Sequence, residues 1–531
     1  MIRLWSRFSP WGGVLCAFVF FLFGCIFAGY PGLEVDEAMF AAPQFRDWCF
    51  YSIPLGHHRV PLMHMSYIGA LKTWLYTPIL SILSPTPMVL RLPAVLMGSA
   101  TILLFWAFLN RIHGRRAAWA GCILLATDTI FLLTSTFDWG PVALQHLLAA
   151  AAMLLAVRWY QGGGTWPLAA AAFCCGLGFW DKAVFVWIFG GFCAGLLLFA
   201  RGIWRRLKWR EASLAAVALC LGALPLIVYN FASAPKFSTF RSASHFNSSE
   251  FQLRRDLLRG TWNGSALFPL FVNEDSAGQH RAPRTPIEQA SFKLHAIAGD
   301  HRTNEIEPAL LVALVLLPLL WRTRARNTML FCVVAATAGW LVMLVSGGGL
   351  FVHHTVLLWP LPHLLIAVAF AEASRRLRFG QWVLAAIVCF LAIANVLVTN
   401  QYFYQFIRNG ARERWTDAIY ALSEGLRRTG ASQVVFPDWG MLDSICVLNR
   451  DTPPTRLAVD PPTKSELELL ADAKAIWVEH TPGNEIFEGV NGRVLAAARR
   501  AGFDAVMLET YTDSNGRPMF QTLRFVASPV K

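Results

Sequence analysis

Three carboxylates stand close together after the first long apolar segment, where Glu34, Asp36 and Glu37 lie within GLEVDEA. A carboxylate at a membrane surface can accept a proton and so act as a general base. The same residues also suit the first turn of a helix that starts near Ala38, because negative charge is favourable at a helix N-terminus. The segment alone leaves both interpretations open.

Two further turns between apolar segments carry ionisable side chains. Asp138 lies in STFDWGP, where it could instead cap the following helix, with Pro141 near the first helical position. Asp181 and Lys182 interrupt GLGFWDKA, where the alternatives are a local ion pair or a lysine that reaches toward the interface. Ionisable groups at membrane depth are costly, which makes them candidates for function.

Cationic side chains are expected on the same side of the membrane as these acids. A site with carboxylates, which accept a proton, and cations, which stabilise an anion, fits transfer from a phosphate-activated donor. The acids that the span assignment places on this side include Asp36, Glu37, Asp138 and Asp181. His353 and His354 could instead simply tolerate an interfacial position. The candidate donor-phosphate contacts are Lys72, Lys182, Arg59, His57, His58, His353 and His354.

The composition is that of a membrane protein. The 531 residues are 55% hydrophobic and 15% charged, with a mean hydropathy of +0.45, whereas soluble domains carry about 25% charge. Several apolar runs reach the roughly 18 residues that can span a bilayer. The net charge of +13 falls in short basic clusters between these runs, which is the positive-inside pattern. We therefore expect membrane lipids, and no nucleic acid, as partners.

We predict a mainly α fold with eleven transmembrane spans, with the N-terminus in the cytoplasm and the C-terminus outside, in a bacterial inner membrane. This assignment places every large basic cluster in the cytoplasm. It makes 67–83 an interfacial segment, because a crossing there would move the later clusters outside. The outside loops are then 31–88 and 232–306. The predicted spans are 12–30, 89–109, 116–134, 140–158, 165–180, 183–200, 212–231, 307–321, 328–346, 350–371 and 380–399.

Two domains are expected from the change in composition. Residues 1–400 form the transmembrane domain, and residues 401–531 form an extracytoplasmic domain of soluble composition. In the second domain, a helical pattern over 412–429 ends at Gly430, and QVVFPD and AKAIWVEH have the character of short buried strands. Helices alternating with strands predict a small α/β domain.

The first-loop acids and the multi-span layout resemble the GT-C membrane glycosyltransferases. The pattern is most similar to glycosyltransferase family 39, the protein O-mannosyltransferases, and to the lipid A aminoarabinose transferases. In those families an Asp-Glu pair follows the first span, as Asp36 and Glu37 do here. Lys72, followed by the RLP of residues 91–93, resembles their lysine before an RLP span, and GLGFWDKA resembles the family segment that places a lysine at Lys182.

The resemblance covers roughly residues 10–400 and implies a reaction. A sugar would pass from a polyprenyl-phosphate-linked donor to a lipid, glycan or protein acceptor on the outer face of the membrane. The resemblance implies Asp36 as the general base, with Glu37 and Asp138 supporting the acceptor or a metal. A divalent metal stays open, because members of the superfamily differ. The chain departs from the family pattern at the two histidines before LLWPLP, where members often carry Arg or Tyr.

The long outside loop 232–306 is predicted to form part of the acceptor entrance. It is far longer than a usual connection, and its aromatic and basic side chains suit a cavity at the level of the lipid headgroups. A solvated insertion without a role is the alternative. The side chains concerned are Trp262, Phe268, Phe271, Arg254 and Arg255.

A membrane transporter or lipid flippase is the alternative function, since it would also place charges in a cavity. Transporters tend to show inverted repeats and broken helices near the membrane midplane. The sequence shows no matching halves, and its candidate charges cluster at one membrane boundary. A non-catalytic assembly protein that uses the C-terminal domain to bind partners is a third class.

Overall fold

The computed structural model describes residues 11–46, 48–56, 58–233, 238–239, 248–274, 279–458 and 468–528. Apolar helices make up most of the chain, and a small sheet domain follows them, as the predicted fold class requires. The helices of the transmembrane domain are Gly12–Phe27, Pro87–Ile112, Arg115–Thr127, Thr129–Thr136, Val142–Tyr160, Trp166–Asp181, Phe185–Leu196, Ala200–Arg206, Trp209–Gly222, Leu224–Ala232, Ile306–Leu319, Ala325–Val345, Leu361–Ser374 and Gly380–Asn409.

Fewer than eleven helices of the described residues meet a length and composition test for a membrane span. Six helices of the described residues are long and apolar enough to cross a membrane, or eight if each of two bent helix pairs is one span. Helices Gly12–Phe27 and Ile306–Leu319 are apolar but shorter. Each predicted span overlaps a helix, but the count of eleven is not confirmed, and the orientation of the termini stays a prediction.

The loops predicted to lie outside the membrane fold into short elements. The segment 67–83 contains helix Leu71–Leu80, whose ten residues extend about 15 Å, half of the hydrocarbon thickness of a bilayer. Three strands form an antiparallel sheet beside it. The loop elements are the strands Tyr51–Leu55, His58–Met65 and Ile68–Gly69, and the helices Val35–Ala38, Phe251–Asn263, Phe268–Phe271 and Pro286–Ala298. The short helix Val352–Thr355 lies within the predicted span 350–371.

The C-terminal domain is a five-stranded mixed sheet with helices, which agrees with the predicted α/β domain. Its first three strands in chain order are parallel, and the last two form a long antiparallel hairpin. In spatial order the strands are Thr455–Leu457, Val434–Phe436, Ile476–His480, Pro518–Ala527 and Phe503–Thr512. The helices are Ala418–Arg428, Leu442–Asn449 and Val490–Arg500.

The C-terminal domain packs directly on the first outside loop. Gly32 donates its backbone N–H to the carbonyl of Trp415 at 2.8 Å, and a Cβ at Gly32 would lie 1.9 Å from the carbonyl oxygen of Thr416. Only glycine fits this contact. Side chains of the loop and of the domain also share one hydrophobic cluster, in which Phe40 and Ile445 are fully buried. The domain therefore covers the loop that carries the candidate base.

A buried polar pair explains the first broken helix. Helices Arg115–Thr127 and Thr129–Thr136 meet at 58°, and Asp128 stands between them. Its Oδ1 accepts the backbone N–H of Phe131 at 2.7 Å, and its Oδ2 lies 3.1 Å from His363 Nε2. Asp128 thus caps the second half-helix, which ends next to Asp138. The sequence pattern had suggested one continuous span over 116–134.

Candidate active site

The acidic helix after the first span is capped by a residue other than Asp36. The Glu34 side chain accepts the backbone N–H of Asp36 at 2.6 Å, and the Glu37 side chain accepts the backbone N–H of Glu34 at 3.2 Å. This reciprocal arrangement is a capping box. The Asp36 carboxylate instead accepts a hydrogen bond from the indole N–H of Trp139 at 3.1 Å. Asp36 is therefore not required as the helix cap.

Glu37 forms a buried, bidentate ion pair with Arg91. Arg91 Nε and Nη2 each donate to a different Glu37 oxygen at 2.8 Å. The remaining guanidinium donors reach the carbonyls of Ala28, Pro31 and Gly32 at 2.7 to 3.1 Å. Both side chains are almost fully buried. Glu37 thus holds the chain between the first span and the acidic helix, away from the reacting groups proposed below.

Lys72 and Asp138 form a second buried ion pair. The Lys72 amine also lies 4.3 Å from the ring centroid of Phe40, an interaction between a cation and an aromatic face. Asp138 Oδ1 accepts the backbone N–H of Ala143 at 3.1 Å, so the predicted capping contact is present as well. Asp138 therefore joins the helix Leu71–Leu80 to the turn before the helix Val142–Tyr160.

Lys182 lies beside the glycine of the turn that contains Asp138. A Cβ at Gly140, whose φ is +65°, would stand 2.8 Å from Lys182 Nζ and 3.7 Å from His353 Cδ2. Lys182 is only 5% exposed, and its charge acts on Asp36, Asp181 and Asp138. Within the described residues, however, it forms no ion pair at contact distance. The site therefore contains a buried ammonium group with no carboxylate against it.

The two histidines before LLWPLP lie next to this ammonium group. The ring centroid of His353 is 4.6 Å from that of Trp139 and 4.3 Å from that of His354. His354 Nδ1 accepts the backbone N–H of Gly349 at 3.3 Å. The structure thus brings His353 and His354 to Lys182 and, through Trp139, to Asp36.

The carboxylates of the acidic loop differ in the causes and the extent of their pKa shifts. Burial raises the pKa of Asp36, while the charge of Lys182 and the Trp139 hydrogen bond oppose this rise. Burial raises the pKa of Glu34 well above its ordinary value, and the charge of Asp36 raises it further. Burial also lowers the pKa of Lys182. A carboxylate with a raised pKa is better matched to proton transfer near neutral pH than an ordinary aspartate.

Arg59 is not brought to this centre. It lies on the exposed hairpin, where its Nε donates to Ser52 Oγ at 2.9 Å. The predicted contact at His57 falls outside the described residues, as does the side chain of His58. Arg59 was predicted as a phosphate contact only from its expected side of the membrane. Residues on one side of a membrane need not lie in one pocket.

A metal centre is not evident in the described part of the chain. No group of three or more His, Cys, Asp or Glu side chains there has the geometry to hold a metal ion. Lys72 forms an ion pair with Asp138, and Arg91 forms one with Glu37. Two of the three predicted acids therefore already have cationic partners. These contacts do not favour a divalent metal, which stays an untested alternative.

Two of the five side chains named in the long loop 232–306 approach the site. The ring centroid of Phe271 lies 6.2 Å from that of Trp139. Arg254 is buried and donates to the carbonyl of Gly348, next to the histidine turn. The other three make contacts elsewhere: Phe268 stacks on Tyr402 at 3.7 Å, Trp262 packs on the hydrophobic core, and Arg255 is exposed and pairs with Asp256 at 3.0 Å.

Sequence reasoning missed Trp139 and Arg91 as parts of the site. Trp139 directly follows Asp138, so a search for donors beside the candidate acids could have found it. Arg91 lies in an apolar helix and is 1% exposed, and an ionisable residue in such a helix is itself a signal. The partner of each is distant in sequence, and no local pattern identifies it.

Comparison with known proteins supports the resemblance. Residues 70–229 match the family described as dolichyl-phosphate-mannose-protein mannosyltransferase. ArnT from Cupriavidus metallidurans, crystallised with undecaprenyl phosphate bound, has a TM-score of 0.58 and 14% identity over 96% of this chain and 97% of that chain. The Archaeoglobus fulgidus oligosaccharyltransferase, in complex with Zn and sulfate, has a TM-score of 0.54 and 14% identity over 95% and 73%. No curated protein matches the chain in sequence.

At 14% identity these structural matches establish the fold. Both solved proteins are GT-C glycosyltransferases, and the matching family is of the same class. The match to ArnT covers 96% of this chain, so it includes both the apolar helices and the C-terminal sheet domain. The chain has the fold of the GT-C membrane glycosyltransferases, and its resemblance to that superfamily is confirmed.

Proposed function

We propose that this protein transfers a sugar from a polyprenyl-phosphate-linked donor to an acceptor at the outer face of the membrane. The observation that carries the proposal is Lys182, a buried ammonium group with no carboxylate at contact distance among the described residues. A buried charge is costly unless it is paired, so the pocket suits an anionic ligand. ArnT, which shares this fold, was crystallised with undecaprenyl phosphate, a ligand of that chemistry.

The reaction needs a base and an anion-stabilising group. A hydroxyl oxygen of the acceptor attacks the anomeric carbon of the donor sugar, and Asp36 accepts the hydroxyl proton. The bond between the anomeric carbon and the phosphate oxygen breaks, and its electron pair stays on the phosphate. Lys182, a buried cation already in place, then stabilises the negative charge of the polyprenyl phosphate that leaves.

The other predicted residues have supporting roles in this scheme. Lys72 is neutralised by Asp138, so it contributes less charge to the donor phosphate than Lys182 does. Glu37 positions the acidic loop through Arg91. The half-buried rings of His353 and His354 lie near Lys182 and are suited to line the donor pocket.

Lys182→Ala is expected to weaken the binding of undecaprenyl phosphate by about tenfold or more, because a hydrogen bond to a charged group contributes roughly 1.5–3 kcal/mol. Native mass spectrometry of the detergent-solubilised protein, titrated with undecaprenyl phosphate, measures this affinity. Lys208→Ala, which removes an exposed lysine, is the matched control and should bind as the wild type does. Equal affinity in the Lys182→Ala protein would remove Lys182 from the donor site.

A further inference from the structure

A short segment of the C-terminal domain packs against the loop that carries Asp36. The segment Glu413–Trp415 is tied to the first outside loop by the Gly32 hydrogen bond to the Trp415 carbonyl. The Trp415 side chain is buried, with its ring centroid 4.6 Å from that of Phe271 and 6.4 Å from that of Trp139. Trp139 in turn donates to Asp36. The segment is therefore continuous with the aromatic wall of the site.

Arg414, next to this buried tryptophan, is exposed. Its guanidinium carbon lies 5.7 Å from the ring centroid of Trp439, so the two side chains form a cation–π contact. Its positive charge acts on both Asp36 and Glu34. Among the described residues, no carboxylate forms an ion pair with Arg414, so its donors are not occupied by an acid.

Trp439, the ring that Arg414 contacts, is held in place by hydrogen bonds of the neighbouring Asp438. Asp438 Oδ1 accepts the backbone N–H of Trp439 at 2.8 Å. Asp438 Oδ2 lies 2.7 Å from His480 Nδ1 and accepts the backbone N–H of Ile486 at 2.8 Å. Asp438 is fully buried. Trp439 therefore stands at the carboxyl ends of two parallel strands, which is the usual ligand-binding edge of such a sheet.

Two other charges act in this region, one on the C-terminal domain and one on the first loop. Asp443, on the helix that follows Trp439, has its pKa raised by burial to about 6, and the positive charge of Arg46 opposes this rise. Arg46 is thus a second cation in the region, and Arg414 differs from it in lying on the face of Trp439. Arginine presents five N–H donors in a planar fork that matches the geometry of a phosphate or a carboxylate.

We propose that Arg414, held on Trp439, forms an acceptor subsite that binds an anionic group, a phosphate or a carboxylate, close to the acceptor hydroxyl. The inference rests on the proposed function, and it names the acceptor class as anionic. Lys182 serves the donor phosphate from within the transmembrane domain. Arg414 reaches the same Asp36 from the C-terminal domain, which is where an acceptor would enter over the acidic loop.

The test compares glycoconjugates of cells that lack the protein with those of cells that produce the wild type, Arg414→Ala, Arg414→Lys, Asp36→Asn or Arg428→Ala. Mass spectrometry after anion-exchange separation identifies species that are one sugar heavier in the wild type. We expect such a species to bind the anion exchanger and to fall at least tenfold with Arg414→Ala. Arg414→Lys should restore part of it, because the charge remains. Arg428→Ala, the control at an exposed arginine, should leave it unchanged.

A measurement of donor binding shows whether Arg414 binds the phosphate of the donor or an anionic group of the acceptor. We expect Arg414→Ala to bind undecaprenyl phosphate within about twofold of the wild type; a larger loss would assign Arg414 to the donor and overturn the inference. A neutral product, or full product in Arg414→Ala cells, would also overturn it. If Asp36→Asn abolishes the product and Arg414→Ala does not, only the acceptor subsite fails. If the wild type makes no such product, the proposed function fails together with it.

Discussion

Asp36→Asn is expected to reduce sugar transfer by about 10²–10⁴-fold, because a general base needs a carboxylate that accepts a proton. The fold should be retained. Glu34 and Glu37 cap the acidic helix, and an asparagine carbonyl can still accept the hydrogen bond from Trp139. Single-turnover transfer from a polyprenyl-phosphate donor in nanodiscs measures the effect, with undecaprenyl phosphate binding measured in parallel.

Trp139→Phe is the matched control for this prediction. It removes the hydrogen bond to Asp36 and keeps the carboxylate, so its effect on the rate should be much smaller than that of Asp36→Asn. Near-wild-type transfer by Asp36→Asn would exclude Asp36 as the base. Asp138 would then be the next candidate, although its ion pair with Lys72 makes it less available to an acceptor.

Glu37→Ala is expected to destabilise the protein by about 3–5 kcal/mol, because it leaves the buried charge of Arg91 without its partner. Both side chains of this pair are no more than 5% exposed, so solvent screening does little to reduce the cost. The correctly folded fraction should still transfer sugar faster than Asp36→Asn does, because the Asp36 carboxylate is retained. Thermal denaturation followed by size-exclusion chromatography measures stability, and turnover is normalised to the folded fraction.

Glu424→Ala provides the comparison for Glu37→Ala. It removes a carboxylate from an exposed pair with Arg427, and such surface pairs contribute about 1 kcal/mol or less. A Glu37→Ala protein as stable as the wild type, with transfer lost, would instead make Glu37 a catalytic residue, as the sequence interpretation had it.

The fold class was predictable because the membrane restricts the possible structures. A long apolar run must be helical in lipid, since every backbone polar group there needs an internal partner. Helix ends were less predictable. The span predicted over 380–399 is part of the helix Gly380–Asn409, which continues ten residues past the apolar run. Hydropathy does not report on the last turns of this helix, where Tyr404 stacks on His295 of the helix Pro286–Ala298 at 3.7 Å between ring centroids.

The sequence indicated which residues belong to the candidate site better than it indicated which of them contact each other. Side-of-membrane reasoning placed Asp36, Lys72, Asp138 and Lys182 on one face, and the structure brings all four together. The same reasoning included Arg59, which lies on an exposed hairpin. A shared side of the membrane is a two-dimensional criterion, whereas a pocket depends on tertiary contacts.

The contribution of the C-terminal domain could not be predicted from its sequence. Arg414 and Trp439 belong to no motif, and they approach Asp36 only because Gly32 allows the chain near Thr416 to pack against the first loop. Such a contact joins residues almost four hundred positions apart and leaves no periodic or compositional signal.

The central claim is that this protein breaks the bond between a sugar and polyprenyl phosphate. The direct measurement uses purified protein in proteoliposomes with a radiolabelled polyprenyl-phosphate sugar and a membrane extract as acceptor. Chromatography then separates the donor, the free polyprenyl phosphate and the labelled product. We expect free polyprenyl phosphate to accumulate in step with labelled acceptor, and Asp36→Asn to abolish both. A donor that crosses the bilayer with its sugar still attached would contradict the account and indicate a flippase.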